Sequence, residues 1–404
     1  MIDTYPTARL WTEPAAFALL LAASMMVMGN ATLSPALPLL AAEFADDPLA
    51  DWLSRFLVPA PSAAVVIFAP LAGRMADTMG RKPLMLWGVA LFAGAGCAGF
   101  WLPDLRWMIA SRLVLGVGMA LILTTQIALL GDLFQGDRRQ KMLGFQISAR
   151  NISGLICISG AGVLATWDAR LPFAIYGLAF LFLWVIARGL PDDGATRATP
   201  GDQSPAEGDA KPGRWMRSVM IIAVFQGILN MSFFVMPTQV PFFLNSLGVA
   251  APVYAGATLG VMTLAAAIAA MRFAQVSAIL SNAGTCVAGF GSMALGYGTL
   301  ALAPGLEVAM LGATIVGIGY ALASPVFAGM MLKAAPLHWR GRASGLLTTA
   351  TFVGQLVSPA LSIPAIQAWG FPVTYGILAV FLLLLAGGWA IWSGLQNAGI
   401  AARG

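Results

Sequence analysis

From Pro14 to about residue 396 the chain is a succession of long apolar runs separated by short polar breaks. In hydrocarbon every backbone N–H and C=O must be satisfied within its own segment, and a helix of ~20 residues does this across a ~30 Å core. A soluble fold is excluded by composition: 59% of the 404 residues are hydrophobic and 10% are charged. Such a chain could not cover a water-facing surface with polar groups. Runs near 14–40, 52–73, 83–102, 107–131, 142–165, 171–190, 217–245, 251–272, 283–303, 306–332, 343–367 and 373–396 predict an all-α membrane protein of twelve transmembrane helices. The first run is too long for a cleaved signal peptide and reads as the first helix.

The stretch PDDGATRATPGDQSPAEGDAKPGR, Pro191 to Arg214, breaks the pattern. It is rich in Pro, Gly, Asp and Ala and has no apolar face, so it predicts a flexible linker. The expected organisation is a six-helix bundle over 1–190, a cytoplasmic linker over 191–216 and a second six-helix bundle over 217–404. The halves repeat. GVGMAL at Gly116–Leu121 matches GIGYAL at Gly317–Leu322, an offset of 201 that also aligns Arg139 with Arg340 and Gly144 with Gly345. LPFAIYG at Leu171–Gly177 faces FPVTYG at Phe371–Gly376, and Asn30 pairs with Asn230. A six-helix repeat of this length implies pseudo-symmetric halves, with a solute site near the bilayer midplane.

Lys and Arg set the expected orientation. Of 22, Arg112 and Arg150 fall inside apolar runs, and only Arg55, Arg106 and Arg170 fall in or beside the odd-numbered breaks. The rest share the side of the termini and the linker, which the positive-inside rule makes cytoplasmic. The expected location is therefore the cytoplasmic (inner) membrane, multi-pass, with both termini inside. The net charge of +5 then reflects basic loops rather than nucleic-acid binding. Cys97, Cys157 and Cys286 lie far apart in apolar runs, and His338 is the only histidine, so neither a disulfide framework nor a metal site is expected. No P-loop pattern and no catalytic cluster occurs. Gly94, Gly96 and Gly99 fit a dinucleotide pattern, but no strand precedes them. The chain is expected to be no enzyme and to need no cofactor.

The segment GRMADTMGRKP, Gly73–Pro83, concentrates charge between the second and third runs. It reads as a cytoplasmic loop in which Gly73 and Gly80 permit tight turning. Gly73, Ala76, Asp77, Gly80, Arg81 and Lys82 resemble motif A of the major facilitator superfamily, with Met75 and Thr78 departing from it. The resemblance implies that Asp77, Arg81 and Lys82 belong to a latch on the cytoplasmic gate. In the mirror segment, at an offset of 198, Arg74 maps to Arg272, Asp77 to Gln275, and Arg81 and Lys82 to Ile279 and Leu280. The second latch has lost its acid. Arg112 with Gly116 and Gly118 resembles the family's motif B, whose Arg is implicated in coupling or solute binding. The layout is most like the drug–proton antiporter branch, although Gly154–Gly162, GLICISGAG, lacks the Pro of motif C.

Polar groups inside the runs are the candidate solute or coupling residues: Asn30, Arg112, Gln126, Arg150, Asn151, Gln226, Asn230, Tyr320 and Gln355. An embedded Arg costs at least about 2.5–3.5 kcal/mol on insertion scales. It stays protonated and holds carboxylates or phosphates bidentately. No Asp or Glu sits near the centre of any run, so the anion missing beside these arginines could be the solute. The alternative for Arg150 is a structural role against backbone or amide groups. The neutral polar residues are read as either cavity lining or glue between helices, and Gly116 and Gly118 as helix packing. Pro35, Pro38, Pro237 and Pro241 are expected to bend their helices.

The expected function is secondary active transport of a small organic solute by a monomer. The solute is a drug or an amphiphilic or anionic metabolite that is exported, with protons a candidate coupling ion and lipid the surrounding partner. Two alternatives stand beside it: an uptake symporter or facilitator for an organic anion, and a transport-dead receptor or scaffold.

Overall fold

The structure, a computed structural model, describes residues 13–191, 214–336 and 339–401. Most of the expected linker (192–213) and His338 lie outside them. Within them the chain is all-α. Helices α1 (Pro14–Ala31), α2 (Leu37–Glu43), α3 (Ala50–Phe56), α4 (Ala60–Met79), α5 (Arg81–Ala98), α6 (Leu105–Leu133), α7 (Gly136–Leu164) and α8 (Leu178–Gly189) fall in one compact unit, Met1–Ser204. Helices α9 (Arg214–Ser246), α10 (Pro252–Ala301), α11 (Leu306–Ala334) and α12 (Arg340–Ala401) fall in the other, Pro205–Gly404.

Eight stretches of the described residues are long and apolar enough to cross a membrane, and a ninth is the pair α3–α4, bent by 46°. Two of the eight are double. Ser281 (φ 61°, ψ 171°) interrupts α10 and Gly370 (φ 76°, ψ 171°) interrupts α12. A helix cannot pass through a positive φ, so each marks a one-residue reversal. That brings the spans to eleven. The twelfth is α5, whose apolar character is diluted by Arg81 and Lys82 in its first turn.

Several boundaries differ from expectation. The first run is not one helix: a 3₁₀ turn at Ser34–Ala36 separates α1 from α2. Pro35 removes a backbone donor there and clashes with the preceding turn. By contrast, α9 continues uninterrupted through Pro237 and Pro241. The charged segment after the second run is not a loop. Gly73–Met79 are helical, and the entire link is Gly80 (φ 89°, ψ 155°). Nothing before Gly80 breaks a helix, and one left-handed residue suffices to turn the chain. Helix α7 also starts at Gly136, about a turn and a half earlier than its apolar run. Arg138, Arg139 and Lys141 are therefore helical.

The internal repeat is visible in packing. A Cβ on Gly118 would lie 2.7 Å from the Gly88 carbonyl oxygen, and one on Gly319 would lie 2.5 Å from that of Gly289. A Cβ on Gly116 would lie 2.3 Å from the Pro61 carbonyl oxygen, and one on Gly317 would lie 2.6 Å from that of Met262. Each of these pairs repeats at the offset of 201. In a bilayer, helix association relies on close backbone approach, which small residues permit. The same offset aligns Gly80 with Ser281, both at positive φ. The expected offset of 198 for the charged segment is thus three residues short. In the true register Asp77 faces Ala278, Arg81 faces Asn282 and Lys82 faces Ala283. The second copy lacks both the acid and the cations.

Candidate functional site

At the end of the first unit opposite the Arg81–Lys82 link, Glu43 closes α2 and is ion-paired to Arg170, with Oε1 2.8 Å from both Nε and Nη2. Arg170 Nη1 also donates to the Leu102 carbonyl at 2.9 Å. Asp47 pairs with Arg106 at 3.3 Å. Glu43 therefore ends a helix in a part-exposed ion pair and is not an embedded acid. Exposed Trp101, Trp107 and Trp167 surround this end, as an interfacial belt requires.

At the Arg81 end, Arg81 is ion-paired to Asp132, near the C-terminus of α6, and Nη1 donates to the Ala128 carbonyl at 3.2 Å. Lys82 Nζ donates to the Leu190 carbonyl at 2.8 Å, just past α8. The Gly80 reversal aims both cations toward the C-terminal ends of α6 and α8, where the helix dipole is partially negative. Asp77 lies in α4, and its side chain is outside the described residues. Gly73 is in ordinary helix with room for a Cβ, so it has no turning role. Asp132 is the partner that the sequence pattern alone did not identify as such.

Arg112 is fully buried in α6. Its Nη2 donates to the Gly96 carbonyl at 2.7 Å, and its guanidinium lies 4.5 Å from the ring centre of Tyr176 and 5.0 Å from that of Phe173. Nε and Nη1 are buried without a well-formed hydrogen bond. Among the described residues no carboxylate forms an ion pair with it. Desolvated cation–π contacts are worth about 2 kcal/mol or more, which offsets part of the cost of burial. At the offset of 201 the repeat position is Ala313, fully buried in α11. The second unit forms the equivalent helix without a charge.

Arg150 lies midway along α7 and is partly exposed, as is Asn151 after it. On α1, Asn30 Oδ1 is buried without a partner. Gln126 donates from Nε2 to the Leu19 carbonyl at 3.3 Å, but its Oε1 is unpaired. These residues do not form one cluster with Arg112.

The second unit does assemble its candidates. Tyr320 on α11 donates to Asn230 Oδ1 at 3.1 Å, and Asn230 Nδ2 donates to the Gln226 carbonyl at 3.0 Å. Gln226 Nε2 donates to Thr351 Oγ1 on α12 at 3.2 Å. Phe233 stacks on Tyr320, with ring centres 4.0 Å apart and 21° between planes. Gln355 is buried nearby on α12. Gln239, whose Nε2 donates to Ser362 Oγ at 2.8 Å, extends the polar stripe of α9. It met the same criterion as the predicted residues and was missed, whereas Phe233 gives no signal inside an apolar run. Tyr320→Phe should lower the thermal midpoint of the detergent-solubilised protein. It strands a buried acceptor, at a cost of about 1–3 kcal/mol. An unchanged midpoint would mean that this hydrogen bond does not hold α9 to α11.

Two six-helix repeats, a buried cation and an uncharged polar seam match a known architecture. The model of the Major Facilitator Superfamily matches residues 19–359. The chain belongs to this superfamily. Its fold agrees with the inward-open structure of the xylose transporter XylE from E. coli, with a TM-score of 0.75, 18% identity, and 93% of this chain and 94% of that one covered. Among curated relatives, the methylenomycin A resistance protein of Streptomyces coelicolor is 25% identical over 384 residues, 80% of each chain. The bacillibactin exporter of Bacillus subtilis is 26% identical over 212 residues, covering 49% of this chain and about half (52%) of the exporter. As a superfamily member the protein is a multi-pass secondary transporter and not an enzyme.

Proposed function

We propose that this transporter exports a small amphiphilic or anionic organic compound across the cytoplasmic membrane by alternating access. The observation that carries the charge preference is Arg112, a buried guanidinium with no carboxylate partner among the described residues, where the repeat position Ala313 carries no charge. Export is supported by the two curated relatives, one an exporter and one a resistance protein. The seam of Gln226, Asn230, Tyr320 and Phe233 offers amide, hydroxyl and aromatic faces suited to an amphiphile.

In this reading the Lys- and Arg-rich side is cytoplasmic, and the pair Arg81–Asp132, with Asp77, is the latch on that side. Protons are the candidate coupling ion. Asp132→Asn weakens the latch without changing side-chain volume. Labelling of cysteines placed on the cytoplasmic half should rise, and transport should fall. Unchanged labelling would remove Asp132 from the gate.

A second reading, uptake or facilitated diffusion of an organic anion, is favoured by one observation. Glu43, the last residue of α2, is held in an ion pair by Arg170. The deciding experiment measures cellular accumulation of methylenomycin A, bacillibactin and a panel of fluorescent aromatic carboxylates in an efflux-deficient bacterium. Export predicts lower accumulation with the wild type than with Arg112→Met. Higher accumulation with the wild type would establish uptake.

A further inference from the structure

We infer that Arg170 is a positioning residue for Arg112: paired with Glu43, it fixes the turn whose aromatic rings hold the buried guanidinium. That turn is the 3₁₀ segment Leu171–Gly177, which leads into α8. It supplies both rings against Arg112, Phe173 at 5.0 Å and Tyr176 at 4.5 Å. Arg112 itself comes from α6, and the carbonyl that it bonds, that of Gly96, comes from α5. The guanidinium is thus oriented by a segment that belongs to neither helix, and that segment needs an anchor of its own.

Arg170, the residue before the turn, anchors it from several directions. Its backbone N–H donates to Asp168 Oδ1 at 2.7 Å, and its carbonyl accepts from the Phe173 N–H at 3.0 Å, which starts the turn. Its side chain pairs with Glu43 of α2 and donates to the Leu102 and Phe100 carbonyls after α5, at 2.9 and 3.4 Å. It also lies over the Phe44 ring at 5.4 Å. A guanidinium has five donors in a planar fork and can serve an acid and two carbonyls at once. The turn that follows packs tightly on α5. A Cβ on Gly99 would overlap the Phe173 ring, and one on Gly96 would lie 2.5 Å from Tyr176 Cβ. Releasing Arg170 therefore lets both rings move away from Arg112 together.

The same turn is tied to both sides of the break in the first span. Thr32 caps α1 just before the 3₁₀ turn at Ser34–Ala36, and its side chain meets the Tyr176 hydroxyl. Glu43 ends α2 beyond that break. A change of angle at the break alters the separation of Thr32 and Glu43, and both are attached to residues 170–177. Arg170 thereby links the pose of α2 to the charge at Arg112. The bearing of this link on transport rests on the solute role proposed for Arg112, and the positioning itself does not.

The test is modification of the full-length protein in detergent with phenylglyoxal, which attacks accessible guanidinium groups, read at Arg112 by peptide mass spectrometry. It needs no solute. In the wild type Arg112 should react far more slowly than the exposed Arg342. Arg170→Gln should speed modification of Arg112 by about tenfold or more, the factor that one charge-assisted hydrogen bond represents. Glu43→Gln, which leaves the two carbonyl bonds in place, should give a smaller rise. Arg106→Gln removes a second ion pair at this end, between α6 and the link after α2, and should leave Arg112 protected. An equal rise in Arg106→Gln would mean general loosening and overturn the proposal. So would wild-type protection of Arg112 in both Arg170→Gln and Glu43→Gln. If Arg170→Gln yields no folded protein, Glu43→Gln decides by the same criterion. If labelling responds as expected while Arg112→Met transports like the wild type, the positioning stands and the proposed solute role falls.

Discussion

Arg112→Met is expected to leave the thermal midpoint close to that of the wild type while reducing transport to background. The two effects separate because burying the charge costs about as much as its contacts return. An embedded Arg costs at least about 2.5–3.5 kcal/mol. It recovers about 2 kcal/mol from desolvated cation–π contact and about 1.5–3 kcal/mol from one charged hydrogen bond. Met fills much of the volume with neither the cost nor the return. The second unit provides an internal control, because Ala313 occupies the repeat position and its helix is intact. Arg112→Lys keeps the charge but loses the planar group that lies over Tyr176 and Phe173. It too should fold and transport poorly. If Arg112→Met yields no folded protein by size-exclusion chromatography, the arginine is structural and the proposed solute chemistry loses its main support.

Gly118→Leu and Gly319→Leu should each abolish recovery of a monodisperse, folded protein. The atoms that a new Cβ would meet are backbone: the Gly88 oxygen at 2.7 Å and the Phe92 nitrogen at 2.9 Å for Gly118, and the Gly289 oxygen at 2.5 Å for Gly319. A side chain can change rotamer to relieve such overlap, but a helix backbone must translate. The cost therefore exceeds the usual overpacking penalty of about 1–3 kcal/mol. Gly144 is the contrast. It is helical with nothing within 4 Å of a Cβ, so Gly144→Ala should raise stability by about 0.4–1 kcal/mol. Thermal unfolding in detergent measures both. Equal behaviour of Gly118→Leu and Gly144→Ala would contradict the close α5–α6 packing.

The spans were legible in the sequence because hydrocarbon imposes one rule on every backbone group: a run of apolar residues becomes a helix. Their ends were not, because hydropathy marks where lipid stops rather than where the helix does. Gly73–Met79 and Gly136–Lys141 are polar and helical for this reason. The repeat offset was readable from GVGMAL and GIGYAL, but at the charged segment it was misjudged by three residues. There only backbone conformation, Gly80 against Ser281, carries the register. The members of the α9 seam were visible as polar residues in apolar surroundings. Which of them touch was not, since Tyr320 and Asn230 are 90 residues apart. Phe233 looks like any lipid-facing residue until Tyr320 is placed upon it. Arg112 was visible as an isolated charge, but its fit between two aromatic rings from the 3₁₀ turn Leu171–Gly177 was not.

The most direct test uses everted membrane vesicles from an efflux-deficient host and no nucleotide. The two relatives' compounds and the carboxylate panel are offered, with and without an imposed proton gradient. Secondary export predicts that at least one compound accumulates inside vesicles carrying the wild-type chain. The same compound should not accumulate in vesicles carrying Arg112→Met at equal protein level. Equal accumulation with the two proteins, or a strict requirement for ATP, would contradict it.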